Sequence, residues 1–405
     1  MVPNLIEIEA AREAVLERVR PLPAEEVPID EALGRVAAES VTSADAVPGF
    51  DNSAMDGYAV RAPDVIEASE RSPALLRVVD ESRAGHPAKR ELAGGEAIAI
   101  STGAMVPAGA DAVVRVEDTA AADGQVEVRV PVDPGRNIRR AGEDTRPGDV
   151  VIDPGAELGA AELGVLASVG RSTVDCARRP TVHILTTGDE LQEPGDALRP
   201  GGVRNSNAHS LAALAKRAGG LVVASEIVRD DPGATGEALG RALDADLAIV
   251  SGGVSVGTHD HVRPALADLG AEEVFWGVAL RPGKPTWFGV RGSTLAYGLP
   301  GNPVSAIVTF LLFVRPAMRA MLGARDGSTS ASAVLDTDYE KPPGRAHAVR
   351  CRLELHDDGW HATPTGEQGS HVLTSMVGAD ALAVIPTAAE AVGAGERVEI
   401  ELLPR

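Results

Sequence analysis

The stretch that decides the fold class is LAIVSGGVSVGTHDHVRPALADLG, residues 247–270. Its first four residues are apolar and predict a buried strand of a parallel sheet. Residues 261–269 have the apolar spacing of a helix, and Gly270 is the residue type that commonly follows a helix end. The intervening residues, 251–260, include three glycines and two serines. The sequence therefore predicts a strand, a glycine-rich loop and a helix in succession, as in a doubly wound α/β domain.

The loop at 251–260 has the composition of an anion-binding turn that also carries a carboxylate. Its glycines allow the backbone to approach a ligand closely, and outward-pointing N–H groups favour an anionic oxygen. Asp260 would repel a bare anion, so a ligand that is both anionic and metal-bridged fits better. The loop matches neither the phosphate loop of nucleotide hydrolases nor a dinucleotide-binding turn. Because such turns are common in this fold class, a purely structural turn is the alternative.

Composition limits the class of protein and its partners. A chain of 405 residues exceeds what one hydrophobic core usually serves, so several domains are expected. The net charge of −21 argues against nucleic acid or an anionic membrane as a partner. No run of about 18 apolar residues occurs, and Glu7 and Glu9 come early, so neither a transmembrane helix nor a secretory signal is expected. Cys176 and Cys351 form no metal-binding pattern, which favours free thiols in the cytoplasm.

Segments of different pattern follow one another along the chain. Apolar spacing predicts a helix before Pro21, and short alternating runs from 48 to 140 predict a β-rich module. Residues 155–170 return to helical spacing, so the module is inserted between two helical pieces that could pair with each other. Residues 180–325 alternate strand and helix, and 330–405 return to strands that suit a small β-barrel or sandwich. The specific strand predictions are Thr181–Leu185, Leu221–Ala224, Leu247–Val250, Leu295–Tyr297 and Val334–Tyr339, and the helices are 206–218, 232–243, 261–269 and 304–322.

Acidic residues follow three of the predicted parallel strands. Glu190, Asp230 and Asp260 each come just after a strand and should meet at one edge of the sheet. Asp231, before Pro232, has the position of a helix N-cap, which leaves Asp230 for another role. Asp260 could also be an N-cap. Taken together, the three carboxylates suit a hard cation such as Mg²⁺, which prefers a few carboxylates and substrate oxygens.

A proline-stiffened turn supplies positive charge to a chain with only four lysines. Arg281 and Lys284 lie in the turn RPGKP, residues 281–285, and a rigid pair of this kind suits phosphate or another oxyanion. The alternative is a surface turn with incidental charges. The turn PGNP at 300–303 starts a long helix and could contact a ligand through Pro300 and Asn302. The spacing of His259 and His261 does not favour a zinc site.

The inserted module contains the polar, small-residue stretch FDNSAMDGYAV, residues 50–60. Asp56 lies in this stretch, and Thr102 and Asp144 lie in similar turns. If a dimer or a domain cleft brings the module against the α/β sheet edge, these residues become further oxygen ligands or donors. Tight turns at strand ends are the structural alternative.

The motifs, taken in order, resemble one protein family. They are DNSAMDGY (51–58), GED (142–144), TGDE (187–190), SGGVSVG (251–257), PGKP (282–285), LPGNP (299–303) and QGSH (368–371). In this combination the chain resembles the MoeA family, which includes the carboxy-terminal domain of gephyrin, over essentially its whole length. The resemblance implies a helical linker domain (1–47 and 145–178), an inserted β-rich domain (48–144), a molybdopterin-binding α/β domain (179–327) and a C-terminal β-barrel (328–405).

The resemblance also implies an activity and an assembly. The implied reaction is Mg²⁺-dependent insertion of molybdate into adenylylated molybdopterin, with release of AMP. The implied assembly is an elongated homodimer whose active site lies between the α/β domain of one subunit and the inserted domain of the other. A molybdopterin adenylyltransferase and molybdoenzyme maturation proteins are plausible further partners.

Site residues follow from the resemblance and the motifs together. The expected catalytic residues are Asp56, Glu190, Asp230, Asp260 and Lys284, with Glu190, Asp230 and Asp260 as metal ligands. The expected substrate-binding residues are Thr102, Asp144, Gly252, Gly253, Ser255, Gly257, Arg281, Pro300, Asn302, Arg350 and Ser370. The family often has lysine where this chain has Gly277 and Arg281, which leaves open how molybdate is held and whether tungstate competes.

Two other functions remain as alternatives. A related enzyme class shares the α/β domain and adenylylates molybdopterin with ATP, but that activity would leave the inserted module and the barrel unexplained. A non-enzymatic scaffold is the second alternative, because gephyrin also anchors receptors.

Overall fold

A six-stranded sheet forms the centre of the α/β domain in this computed structural model, which describes residues 5–254, 260–325 and 329–403. Four neighbouring strands are parallel, and two antiparallel strands extend one edge. The strands, in spatial order, are Leu221–Val228, Thr181–Thr187, Leu247–Ser251, Thr294–Leu299, Trp287–Arg291 and Glu272–Trp276. The four predicted parallel strands are confirmed. The antiparallel pair was not predicted because Glu272–Trp276 is a half-exposed edge strand that begins with two exposed glutamates.

Helices cover both faces of this sheet, as the alternating pattern predicts. The first face is covered by Ser206–Arg217 and the long helix that begins at Pro303, and the second by Pro232–Ala242 and Val262–Asp268. Alternate residues of one strand serve the two faces: Ile249 packs with the first set of helices, and Val250 packs with the second. This alternation gives the sheet two apolar layers.

The long helix contains a π-helical turn that the sequence does not reveal. It runs as Pro303–Thr309, a π turn at Phe310–Val314 and Arg315–Met321. Pro316 has no N–H to donate to Leu312 four residues earlier, and the Leu312 carbonyl accepts a bond from Arg12 Nε instead at 3.4 Å. By length and composition Pro303–Met321 could cross a membrane, but 83% of the stretch tested is buried inside the fold. A core helix has these same properties.

The two linker pieces pair with each other, as expected, but they pair through strands and not through their helices. The first helix, Ile8–Leu16, buries Ile8, Ala11 and Val15 against the core of the α/β domain. Ala24–Pro28 instead pairs antiparallel with Thr173–Ala177. The second helix, Ala160–Ser168, packs on that pair through Leu166. The first helix has one apolar face, and the larger apolar surface of the long core helix covers it.

The inserted module is a mixed six-stranded sheet. In spatial order its strands are Ala112–Arg115, Gly57–Val60, Glu96–Ile100, Ala74–Ser82, Gln125–Val128 and Thr119–Ala122. Only Ala74–Ser82 and Glu96–Ile100 pair in parallel among the described strands of this sheet. The smaller elements of the module are the helix Ala62–Val65, the 3₁₀ turn Val116–Asp118 and the strand pair Asn52–Ser53 with Ile138–Arg139. The adjoining linker pieces add the 3₁₀ turn Ile29–Glu31 and the strand pair Val41–Thr42 with Val150–Ile152.

The C-terminal strands close into a five-stranded barrel. Its strands, in order around the barrel, are Ala346–His356, Gly359–Pro364, Ser330–Leu335, Arg397–Leu402 and Ala381–Ile385, which pairs back with the first. The predicted strand Val334–Tyr339 is wrong, because the chain turns after Leu335 and Tyr339–Glu340 pairs separately with Ala391–Val392. The sequence between them, Asp336-Thr337-Asp338, favours a turn. A 3₁₀ turn at Leu373–Met376 completes the described elements here.

The barrel is attached to the edge of the α/β sheet where the strands end. Leu280–Arg281 pairs in parallel with Ala346 and His347 of the barrel. This pairing places the RPGKP turn between the barrel and the carboxyl ends of the parallel strands. A second short pair, Leu191–Gln192 with Val203–Arg204, lies after the first parallel strand.

Candidate functional site

A cleft of about 920 Å³ lies at the carboxyl ends of the four parallel strands. Residues directly after each of these strands line it, and the barrel contributes Arg345, Gln368, Ser370 and His371. Doubly wound sheets bind their ligands at this position because the loops there converge. The predicted site residues that line the cleft are Glu190, Asp230, Gly252, Gly253, Asp260, Arg281, Lys284, Pro300, Asn302 and Ser370. The predicted residues Ser255 and Gly257 lie outside the described residues.

The glycine loop packs tightly against the end of the first parallel strand. Gly252 has φ +100°, and a Cβ there would lie 2.6 Å from Thr187 Oγ1 and 2.9 Å from the Thr187 carbonyl oxygen. Gly253 has φ +65°, and its Cβ would lie 2.8 Å from Val262. Both the conformation and the space therefore require glycine. The sequence predicts that the loop needs glycine because a ligand approaches it closely. In the structure, the close approach of Thr187 is already enough to require glycine at these positions.

Thr187 itself presents an unsatisfied polar atom. Its Oγ1 is buried and has no hydrogen-bond partner in the described part of the protein, although the residue lines the cleft. A buried hydroxyl without a partner costs free energy on the order of 1–3 kcal/mol. A polar group of a ligand, or a water molecule, would remove that cost.

The carboxylates share the cleft without forming a compact trio. Asp231 Oδ1 accepts a hydrogen bond from Ala234 N at 2.8 Å, so Asp231 is the helix N-cap that the sequence predicts. Asp230 Oδ2 is 3.4 Å from Asp189 N, and Glu190 folds back over Gly188. Within the described ranges, the one group of three possible ligand residues closer than 4.8 Å to one another lies elsewhere. A cation here would therefore bind fewer than three of these carboxylates directly, which suits Mg²⁺ with water and substrate oxygens.

Two asparagines that the sequence analysis did not weigh organise the cleft floor. Asn207 Nδ2 donates to Ser251 Oγ and to the Gly301 carbonyl oxygen, both at 2.8 Å. Asn205 caps the helix Ser206–Arg217 by accepting from Ala208 N, and donates to Thr186 Oγ1 at 3.0 Å. Asn207 thus ties together the loops after two neighbouring strands. The signal in the sequence was the pair of asparagines at the start of a predicted helix.

The opposite wall of the cleft is cationic. Arg281, Lys284 and Arg345 line it, and the last of these was not predicted. The turn is held by hydrogen bonds from Thr286 Oγ1 to the Gly283 carbonyl oxygen at 2.6 Å and from Val278 N to the Lys284 carbonyl oxygen at 2.9 Å. Gly283 has φ +132°, and a Cβ there would lie 2.7 Å from Thr309. The prediction of a rigid turn is confirmed by these contacts.

Arg350 is a buried residue that shapes a loop beside the cleft. It is 1% exposed and donates to the carbonyl oxygens of Gln368 and Gly369, both at 3.2 Å, and to Ser375 Oγ at 3.1 Å. Burial lowers the pKa of its guanidinium. Ser370, at the end of this loop, accepts from Asn302 Nδ2 at 3.0 Å. The described contacts of Arg350 position that loop, and its role as an oxyanion ligand stays a prediction.

A second cavity of about 540 Å³ continues the cleft into the barrel. Arg281 and Arg350 line it, together with Tyr339 and His347. His347 is 4% exposed, and burial together with the charge of Arg281 lowers its pKa to about 4. Its Nδ1 lies 3.1 Å from the Tyr339 hydroxyl, within hydrogen-bond distance. With His347 neutral, the charged groups that line this cavity include Arg281, Arg350, Glu340 and Glu367.

The three predicted site residues of the inserted module are not among the described residues that line the cleft of the same chain. Asp56 Oδ1 accepts from Thr102 N at 2.8 Å, and Asp144 is held through its backbone N–H to the Val47 carbonyl oxygen at 3.0 Å. Among the described residues, those lining the cleft come from the α/β domain and the barrel. The expectation that a second subunit brings these residues to the cleft stays a prediction.

The fold defines a multidomain α/β protein whose cleft, at the ends of its parallel strands, is lined by carboxylates and by Arg281, Lys284 and Arg345. Three sequence profiles match: "MoeA N-terminal region (domain I and II)" at residues 6–170, "Probable molybdopterin binding domain" at 183–320 and "MoeA C-terminal region (domain IV)" at 332–403. The chain belongs to the MoeA family.

Similar proteins cover nearly the whole chain. A protein of Haemophilus influenzae named molybdopterin molybdenumtransferase is 36% identical, over 98% of both chains. Molybdopterin molybdenumtransferase 2 of Mycobacterium tuberculosis is 38% identical, over 97% of this chain and 98% of the relative. A crystal structure of the molybdopterin biosynthesis MoeA protein of Pyrococcus horikoshii has a TM-score of 0.85 at 30% identity, covering 99% of this chain and 100% of that one.

Proposed function

We propose that this protein is a molybdenumtransferase that inserts molybdate into adenylylated molybdopterin and releases AMP. The observation that carries the proposal is the cleft at residues 251–254, which has carboxylates on one side and fixed cations on the other. An adenylylated pterin has anionic phosphates that suit both the loop amides and a cation held by carboxylates. Relatives over the full chain carry the corresponding name.

The carboxylate side fits a magnesium ion. Asp230 and Asp260 line the cleft, and oxygen donors are the ligands that Mg²⁺ prefers. When bound, Mg²⁺ would offset the negative charge that develops on the phosphate as the phosphoanhydride bond breaks. Asp230 also accepts the Asp189 N–H, which orients its carboxylate toward the end of the strand. Glu190 is the third candidate, and it is exposed.

The cationic side suits molybdate, the second substrate. Arg281 and Lys284 lie in a turn whose backbone is held by hydrogen bonds, so two cationic side chains are available to an oxyanion at this wall. Ser370 is fixed against Asn302 at the same wall. Because Arg281 offers a planar fork where lysine offers a point charge, the balance between molybdate and tungstate is set here.

An acid-to-amide substitution tests the carboxylate assignment with a neighbour as its control. Asp260→Asn and Asp230→Asn should each reduce AMP release from adenylylated molybdopterin in the presence of molybdate and Mg²⁺. Asp231→Asn should leave it unchanged, because asparagine keeps the N-cap bond to Ala234. Equal rates in the three variants would contradict the assignment.

The active site is completed by a second subunit in a homodimer. Asp56, Thr102 and Asp144 lie outside the cleft of their own chain, and the stretch around them exposes Phe50 (41%) and Met55 (42%). Exposed apolar side chains beside polar site residues are typical of an interface.

Mixed dimers test this assembly. Asp56→Asn subunits are mixed with Asp260→Asn subunits to form heterodimers. If each site combines Asp260 of one subunit with Asp56 of the other, one of the two sites in each heterodimer has both aspartates. The mixture should then release AMP faster than either variant alone. If each cleft used only its own chain, both clefts of the heterodimer would be inactive. If the protein is a monomer in solution, the proposal of a shared site is contradicted without an activity assay.

The remaining proposals concern cell biology and the alternative functions. The protein acts in the cytoplasm, receives its substrate from a molybdopterin adenylyltransferase and passes its product to molybdoenzyme maturation proteins. The adenylyltransferase alternative predicts ATP consumption in the absence of molybdate. The scaffold alternative predicts tight binding of a receptor-loop peptide without AMP release.

A further inference from the structure

Two histidines and an aspartate form a cluster at the tip of a barrel hairpin. His356 ends the strand Ala346–His356, Asp358 lies in the turn, and His361 belongs to the strand Gly359–Pro364. One potential ligand atom from each of the three lies within 4.8 Å of the others. The described residues that line the cleft and its extension include none of them. The cluster is therefore separate from the proposed active site.

His361 faces a carboxylate at each ring nitrogen. Its Nδ1 is 2.7 Å from Asp336 Oδ1, and its Nε2 is 2.9 Å from Asp358 Oδ1. A neutral imidazole has one N–H and one lone pair. With the hydrogen on Nδ1, Nε2 and Asp358 present lone pairs to each other. A cation between them, either a second proton or a metal ion, resolves that opposition.

Asp336 has the position that fixes a ligating histidine. Its second oxygen accepts from Thr363 Oγ1 at 2.6 Å, so the carboxylate is held from both sides. Histidines that bind metals commonly donate their other N–H to a carboxylate, which orients the ring and raises its basicity. His356 stacks on His361 with ring centroids 4.1 Å apart and planes 16° apart, and one of its ring nitrogens lies within 4.8 Å of the ligand atoms of Asp358 and His361.

We infer that His356, Asp358 and His361 bind a divalent transition-metal ion of the zinc type, with Asp336 as the residue that positions His361. Two imidazoles and one carboxylate suit Zn²⁺, Ni²⁺ or Cu²⁺, whereas Mg²⁺ prefers oxygen donors alone. The ion would link the last residue of one strand to the turn and to the next strand. Binding to the folded barrel would stabilise it by mass action.

Calorimetric titration of the full-length protein with Zn²⁺, in excess Mg²⁺ to occupy carboxylate sites, tests the proposal. Wild type should bind one ion per chain at this site. His361→Ala and His356→Ala should each weaken binding at least about tenfold, and Asp336→Asn should weaken it by about tenfold or more because a neutral amide oxygen is a weaker acceptor for the ring N–H than a carboxylate. The matched control is His86→Ala, an exposed histidine of the inserted module, which should bind as wild type.

Cobalt substitution and circular dichroism complete the test. The visible absorption of bound Co²⁺ should disappear in His361→Ala while the far-ultraviolet spectrum shows that the variant is folded. Wild-type protein that binds no Zn²⁺, or a His361→Ala variant that binds it as tightly as wild type, would overturn the site. Loss in His361→Ala with full affinity in Asp336→Asn would overturn the positioning role.

Discussion

Replacing Gly252 by alanine should both destabilise the fold and slow the reaction in the cleft. The new Cβ would lie 2.9 Å from the Thr187 carbonyl oxygen, and ordinary contacts begin near 3.4 Å, so the loop must move by about half an ångström. Holding alanine at φ +100° costs about 1–2 kcal/mol, and the steric conflict adds about 1–3 kcal/mol. A displacement of this size in a site that positions a phosphate should reduce AMP release about tenfold.

Gly270→Ala provides the matched control for this prediction. Gly270 also has positive φ, at +79°, but a Cβ there would have no neighbour within 4 Å. This variant should therefore lose only about 1 kcal/mol and keep its rate of AMP release. The assays are thermal melting and single-turnover AMP release for the two variants side by side. If Gly252→Ala melted like Gly270→Ala and kept the wild-type rate, the argument from close approach to Thr187 would be refuted.

Three further predictions concern polar side chains in or beside the cleft. His347 has its pKa lowered to about 4 in the folded protein, so between about pH 6.5 and 4 the unfolded chain binds a proton that the folded one does not. The free energy of unfolding should therefore fall by about 2 kcal/mol between about pH 7.5 and 5, and His347→Gln, followed in denaturant titrations, should lose this part of the decrease. In Arg350→Lys the shorter ammonium group cannot reach the Gln368 and Gly369 carbonyls together. The molybdate concentration that gives half-maximal activity should therefore rise, and the melting temperature should fall. If both values were unchanged, the positioning role of Arg350 would be contradicted. Asn207→Ala breaks two bonds of 2.8 Å and should lower the melting temperature and weaken binding of adenylylated molybdopterin in a direct titration, and wild-type affinity would contradict its role.

The parallel sheet could be predicted because its strands have an unambiguous pattern. Leu247–Ser251 is buried at every position, so its first four residues are all apolar and do not alternate with polar ones. Edge strands lack that property. Glu272–Trp276 is half-exposed and begins with two exposed glutamates, so its apolar run is only three residues long. The turn after Leu335 depends on three short polar residues that also fit the end of a strand.

The candidate site was predicted where it depends on loop chemistry and not where it depends on tertiary contacts. Asp230, Asp260 and Lys284 follow strands or lie in stiff turns, and that information is local. Asn207 acts through hydrogen bonds to residues distant in sequence, which spacing along the chain does not reveal, and Arg350 was predicted only from the family resemblance. The packing of the first helix against the α/β core could not be predicted either, because an apolar helix face does not show which surface it packs against.

The central claim is that the cleft couples molybdate insertion to AMP release. The most direct measurement is the stoichiometry of AMP released to molybdenum bound to the pterin, starting from purified protein, adenylylated molybdopterin and Mg²⁺. The account predicts equal amounts of both products, released only when molybdate is present. AMP released at the same rate without molybdate, or consumption of ATP in place of AMP release, would contradict it.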